Sequence, residues 1–277
     1  MTPFFLPGSR GRLLAVHHSP AHGGNRGVLF VPPFAEEMNK SRHMVALQAA
    51  ALATIGYRVL LLDLYGTGDS GGDFQDARWE TWLDDLRRGA DWLKAQGSRE
   101  VTLWGLRGGC LLGVDLLRSG QVDARNLVFW QPVTSGKQML TQFLRLRMAA
   151  GLTGDAPRES VASLREQLRR GDVVEVAGYD LAPELVDAIE RRDLAPIPSV
   201  ARDVSLQWYE VASSPGRGLG PASAAALDAW KQAGARVRSE VVIGEPFWMT
   251  QEVTMAPDLL RATTDSMKPD HHEVGRA

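Results

Sequence analysis

Apolar residues along this chain fall into two alternating patterns. The first is a set of short, nearly continuous runs: "RGVLFVPPF" (Arg26–Phe34), "YRVLLLDL" from Tyr57, "VTLWG" from Val101, "NLVFWQPV" from Asn126, "DVSLQWYEV" from Asp203 and "RSEVVIGEPF" from Arg238. Runs of this length, rich in aliphatic and β-branched residues, predict strands; continuous apolarity predicts strands covered on both faces, as in a parallel sheet. The second pattern has helical spacing. "HMVALQAAALATIGY" predicts a helix closed by Gly56, and "RWETWLDDLRRGADWLKAQG" puts Trp79, Trp82, Leu83, Leu86, Ala90 and Leu93 on one face. "GCLLGVDLLRSG" and "ASAAALDAWKQAG" read as further helices. Strand and helix alternate, which predicts βαβ units with right-handed crossovers.

The alternation is interrupted once. From about Lys137 to Pro198 the chain reads as helices, among them "SVASLREQLRRG" and "PELVDAIERRDL", with no strong strand. The expectation is an α/β core over residues 1–136 and 199–265, a helical cap insertion over 137–198 and a flexible polar tail over 266–277.

Composition adds boundaries rather than detail. With 277 residues, 44% hydrophobic and 23% charged, the chain has the material for one large core. A net charge of -2 gives no electrostatic reason to expect nucleic acid or an anionic membrane as partner. The single cysteine, Cys110, excludes an internal disulfide framework and suits a reducing compartment. No apolar run approaches the ~20 residues of a membrane span, and "MTPFFLPGSRGR" lacks the layout of a signal peptide, so a cytoplasmic location is expected. Neither a cofactor fingerprint nor a metal-ligand cluster is read: "GTGDSGG" lacks G-x-G-x-x-G spacing and has an acidic residue where a pyrophosphate would sit.

Two Gly-rich turns carry the candidate chemistry. "DLYGTGDSGG" (Asp63–Gly72) follows a predicted central strand; its glycines permit a tight turn, and Ser70 reads as a turn serine rather than a nucleophile. "LWGLRGGC" (Leu103–Cys110) has the strand, Gly-x-Nu-x-Gly and helix layout by which α/β-hydrolases raise a catalytic Ser, Cys or Asp. The residue at its tip is Arg107, which can neither attack a carbonyl nor lose its proton. The glycines at 105 and 109 satisfy the steric demand of such an elbow, so an α/β-hydrolase fold is expected: a mostly parallel central sheet flanked by helices, with a small helical cap. Cys110 lies beyond the tip and reads as a buried structural thiol.

The base of a Ser-His-Asp triad is missing too. After "DVSLQWYEV" the acid candidate is Glu210, and after "EVVIG" Phe247 and Trp248 stand where a base is expected. His17, His18, His22 and His43 lie too early in the chain, and His271 and His272 in the polar tail. An arginine at a helix N-terminus adds positive charge to a positive site and needs an anion. Three readings stay open: an internal ion pair with Glu36, Glu37 or Glu245; a bound carboxylate or phosphate held by Arg107 and the helix N–H groups; or water activated by Glu36 or Glu37, with Arg107 stabilising an oxyanion. The candidate site comprises Arg107, Gly108, Phe34, Ala35, Glu36, Glu37, Glu245 and Trp248, with Phe247 and Trp248 reading either as core or as a lid.

The stretches "FAEEMNKSR", "LDLYGTGDSGGDF", "WETWLDD", "LWGLRGG", "FWQPVTSGKQMLTQFLRLR", "EVAGY" and "GEPFWMTQE", spread over about residues 28 to 264, resemble the exosortase A system-associated hydrolases of type 2. That is a family of α/β-hydrolase fold from bacteria that make exopolysaccharide and sort PEP-CTERM proteins. The resemblance implies that an arginine at the elbow is a family feature. It also implies a functional link to the exosortase and polysaccharide machinery. The sister type-1 family carries Cys at the elbow tip; Arg107 stands there in this chain, so thiol chemistry does not carry over. Two function classes follow: a hydrolase or acyl transferase on a small ester or thioester without a standard triad, or a retired hydrolase scaffold serving as an anion-binding or accessory protein.

Overall fold

The computed structural model describes residues 1–150, 159–196 and 198–268. Its centre is an eight-stranded sheet in the order β1-β2-β4-β3-β5-β6-β9-β10. The strands are β1 (Thr2–Pro7), β2 (Arg12–His18), β3 (Arg26–Val31), β4 (Tyr57–Leu62), β5 (Glu100–Leu106), β6 (Asn126–Trp130), β9 (Ser205–Ala212) and β10 (Arg236–Ile243). From β4 to β10 all neighbours are parallel, whereas β1 and β2 form an antiparallel hairpin added to the edge of β4. The most continuously apolar runs, β3 and β5, are the central pair and are buried over almost their whole length.

Helices cover both faces. Helices α1 (Glu36–Thr54) and α9 (Pro257–Ser266) pack on one face around Trp104, Trp130 and Phe247. Helices α2 (Trp79–Ala95), α3 (Gly109–Arg118) and α8 (Pro221–Gln232) belong to the larger core on the other. On α2 the expected face is buried, with Leu83 half-buried at its margin; Gly89 lets this helix press against Leu62 and Leu29 of the sheet. Gly56 follows α1 with φ +98°, the left-handed conformation of a helix stop.

Between β6 and β9 lie α4 (Gly136–Ala150), α5 (Val161–Arg169), α6 (Pro183–Glu190) and the short α7 (Pro198–Ala201). This segment also contains two strands that its apolar pattern does not announce: β7 (Val174–Val176) and β8 (Tyr179–Leu181) form a hairpin. Its two-residue turn, Ala177 and Gly178, has φ of +53° and +84°, matching the right-handed twist of a tight hairpin. Strands of three residues are too short to leave an alternation distinguishable from a helix turn. Ionic contacts join the segment to the core: Asp115 of α3 to Arg192 at 2.7 Å, Arg118 to Asp193 at 3.1 Å and Arg78 to Glu184 at 3.5 Å. At the other end, Ser266 and Met267, expected in the tail, instead close α9. Met267 is buried and accepts a hydrogen bond from the Tyr57 hydroxyl at 2.8 Å. The rest of the expected tail, from residue 269 on, lies outside the described residues.

Candidate functional site

The C-terminal ends of β3, β5 and β6 lie side by side, and each is followed by a non-glycine residue in the left-handed region. These are Ala35 (φ 51°), Arg107 (φ 53°) and Gln131 (φ 42°). Strain of this kind persists only where the surroundings over-determine the backbone. At Arg107 the determinants are visible: its N–H donates to Trp130 O at 3.0 Å, and its carbonyl accepts from Cys110 N at 3.1 Å. The elbow glycines are required by contact. A Cβ on Gly109 would stand 2.2 Å from Val31 O and 2.6 Å from Pro32 O, and one on Gly105 would meet Cys110 Cα at 3.0 Å. Cys110 is fully buried, and burial pushes its thiol well above the ordinary range, as expected of a structural cysteine.

The tip arginine points into a cleft. Its Nε donates to Glu37 Oε1 at 3.1 Å, and its guanidinium carbon lies 5.5 Å from the centre of the Trp248 ring. Its Nη1 and Nη2 donate to no acceptor among the described residues. A cavity of about 200 Å³ opens here, with Arg107, Glu36, Glu37 and Lys40 as its charged side. Phe34, Met139, Phe143 and Trp248 form much of its apolar wall. Helix α4 therefore supplies one side of the cleft, and the hairpin backs it, with the Tyr179 ring edge-on to Phe143 at 6.4 Å. Behind the elbow a much smaller cavity, about 20 Å³, is lined by Ala35, Gly108 and apolar side chains. Neither the Ala35 N–H nor the Gly108 N–H has an acceptor among the described residues.

Glu37 is the electrostatic counterpart of the tip. Burial raises its carboxyl above the ordinary range, and Arg107 opposes that rise through charge and hydrogen bond. Its Oε2 is buried without a partner. Of the three carboxylates named as partners for Arg107, the structure selects Glu37. Glu36 also lines the cleft but pairs with Lys40 at 3.3 Å along α1. Glu245 is exposed, outside the cleft lining and in no ion pair of the described residues, because the turn after β10 carries it outward while Phe247 and Trp248 go inward. Those two aromatics are buried core, in edge-to-face contact at 5.0 Å, and Trp248 at the same time walls the cleft.

No histidine lines either cavity among the described residues. His17 packs on Trp92 at the edge of the sheet, and His271 and His272 lie outside the described residues. Glu210 accepts from Trp208 Nε1 at 3.1 Å within its own strand. Ser70 is the turn serine expected: its hydroxyl donates to Asp63 O at 2.6 Å and accepts from Leu14 N at 2.8 Å.

Sequence reasoning missed Lys40, Met139 and Phe143 as cleft residues, since nothing local in "GKQMLTQF" says that α4 will lie over the elbow.

A strand-elbow-helix at the centre of a mostly parallel sheet, with a flanking helix on each face, is a recognisable architecture, and solved structures share it over nearly their whole length. Est1E of Butyrivibrio proteoclasticus, solved with ferulic acid bound, superposes with a TM-score of 0.62 at 16% identity, covering 96% of each chain. The chain has the α/β-hydrolase fold. A highly thermostable carboxyl esterase from Bacillus coagulans gives a TM-score of 0.61 at 11% identity, covering 96% of this chain and 97% of its own. A serine hydrolase without a lid from Xanthomonas campestris gives 0.57 at 14% identity, with 97% and 95% covered. At these identities the likeness is one of fold. No protein-family model and no curated protein matches the sequence. Among the described residues no helix of this α/β-hydrolase-fold chain is long and apolar enough to cross a membrane.

Proposed function

We propose that this α/β-hydrolase-fold protein is a binding protein for a small anionic molecule, held in the cleft by Arg107, on a scaffold that has given up triad chemistry. The observation that carries the reading is the divided arginine: Nε is used internally on Glu37, while Nη1 and Nη2 are left to the cleft. Residues 137–198 act as a cap, since α4 forms the outer wall of that cleft. The resemblance of the elbow, the "FAEEMNKSR" loop and the "GEPFWMTQE" turn to the type-2 exosortase-associated family supports a cytoplasmic role beside the exosortase and polysaccharide machinery.

A second reading, hydrolysis or acyl transfer on a small ester or thioester, is favoured by one observation. Glu37 Oε2 is buried and unpartnered, and burial raises its carboxyl above the ordinary range. In that reaction Glu37 takes a proton from water, the hydroxide attacks the acyl carbon, Arg107 stabilises the oxyanion, and its collapse releases the alcohol or thiol, which takes the proton back from Glu37.

The test is a thermal-shift screen of organic anions and their neutral counterparts, run beside an ester and thioester turnover panel, on the wild type, Arg107→Met and Glu37→Ala. Binding predicts that an anion raises the melting temperature of the wild type and not of Arg107→Met, with no turnover. Turnover lost in both variants would replace the first reading by the second. No anion effect and no turnover would remove both.

A further inference from the structure

The surroundings of Arg107 restrict which anion the cleft accepts; this narrowing rests on the reading of the cleft as a ligand site. The free edge of the guanidinium is a fork of N–H donors, and its geometric match is the pair of oxygens of a carboxylate. The other cation of the cleft, Lys40, is already engaged, 3.3 Å from Glu36 Oε2 and donating to Met249 O at 3.4 Å. Two cations and two carboxylates leave the empty cleft formally neutral. A monoanion adds one uncompensated charge, whereas a phosphate-type dianion adds two, facing Glu36 and Glu37 at close range. Beyond the charged side the lining is apolar, and it runs outward along α4 to Leu146, 38% exposed, and to Met249, 62% exposed.

We propose that the cleft takes a monocarboxylate with an apolar tail, its carboxylate on the Nη1–Nη2 edge of Arg107 and its tail between α4 and Trp248, and that Glu37 takes up a proton from solvent as the ligand binds.

The proton follows from the charge count. The charged side chains facing Glu37 are Arg107 on the elbow and Glu36 and Lys40 on its own helix. The described parts of α4 and of the 245–249 turn contribute no charged side chain to the cleft lining. A second carboxylate on the same guanidinium halves the compensation that Arg107 offers, while Glu37 Oε2 has no other donor. Protonation of Glu37 returns the filled cleft to neutrality and turns Oε2 into a donor, so carboxylate binding strengthens as pH falls.

Isothermal titration calorimetry with octanoate, octan-1-ol and octyl phosphate tests this, run between about pH 6 and 8 in buffers of different ionisation enthalpy. Octanoate is expected to bind at least about tenfold more tightly than the other two, with net uptake approaching one proton. Arg107→Met brings octanoate down to the level of octan-1-ol. In Glu37→Gln, nearly isosteric, proton uptake is abolished, the pH dependence is lost and octanoate affinity at pH 8 rises toward its value at pH 6. Octyl phosphate or octan-1-ol binding as tightly as octanoate in an Arg107-dependent way, or octanoate binding without proton exchange, overturns this proposal and leaves the ligand-site reading standing. Binding of none of the three, in a protein whose melting curve is normal, overturns both.

Discussion

Two Gly-rich turns at the same end of this sheet, after the strands on either side of β3, have opposite fates. In the turn after β4, the turn's own side chains Asp63 and Ser70 are spent internally. Asp63 receives Arg42 through both oxygens, at 3.1 and 2.8 Å, and Asp69 N–H at 3.0 Å, while Ser70 ties the turn to β2. Beneath it, Asp85 of α2 accepts from Tyr65 N at 2.9 Å through Oδ2, while its Oδ1, behind the turn, is buried without a partner. In the elbow after β5, the backbone is held as tightly, yet Arg107 Nη1 and Nη2, Glu37 Oε2 and two N–H groups have no acceptor or donor among the described residues. Buried or half-buried polar groups left without partners are costly, so a turn that keeps them has a use for them other than stability. Both turns are rich in glycine; the hydrogen bonds of their own side chains separate scaffold from site.

The comparison is most directly broken at the glycines. Gly109→Ala forces a Cβ against two carbonyl oxygens, and backbone cannot step aside as a side chain does. A loss of about 4 kcal/mol or more is expected, read as absence of a cooperative melt or a severely lowered urea midpoint. If that variant melts like the wild type, the elbow is not sterically locked and its strain carries no meaning.

Next in size is the support under the first turn. Burial pushes Asp85 up to about 6 from an ordinary 3.8, with Tyr65 N–H opposing and Asp84 adding to the rise. The folded state then binds this proton more tightly than the unfolded chain, so the contribution of Asp85 to stability is full below pH 4 and is lost as pH rises through 6, by about 3 kcal/mol in all. Asp85→Asn keeps an acceptor for Tyr65 and should flatten that part of the stability profile, measured by denaturant melts across the range. An unchanged slope would assign the pH dependence to other groups.

Asp63→Ala is expected to cost about 2 kcal/mol, because it strands the Asp69 N–H, while Arg42, nearly half exposed, regains water. The same change should leave ligand binding at Arg107 intact, which separates the two turns by function. The smallest effect is expected at the elbow tip. Arg107→Gly combined with Glu37→Gln removes the left-handed strain and the buried ion pair together, and should stabilise by about 1 kcal/mol while abolishing anion binding. A destabilised double variant would mean that the pair contributes to folding, contrary to the division drawn here.

Much of this was legible before any coordinates. Continuous apolar runs announce strands because a parallel strand is covered on both faces, and β3 and β5 are covered in just that way. The elbow is readable because its glycines answer a local steric demand that no other residue meets. What was not legible depended on distance along the chain. The hairpin of β7 and β8 left too short a pattern, and Met139 and Phe143 became cleft residues only when α4 folded back over the elbow.

The choice among Glu36, Glu37 and Glu245 shows the division most clearly. Sequence alone determined that a charge at the elbow tip needs a counter-charge, since a guanidinium at a helix N-terminus is unfavourable by itself whatever surrounds it. Which carboxylate answers, and that it answers only one side of the guanidinium, was decided by the tertiary structure. The first turn of α1 directs Glu37 toward Arg107 and Glu36 toward Lys40, and the turn after β10 sends Trp248 into the cleft and Glu245 out of it. Helix phase and loop direction are set by packing against the rest of the fold, and local sequence does not contain them.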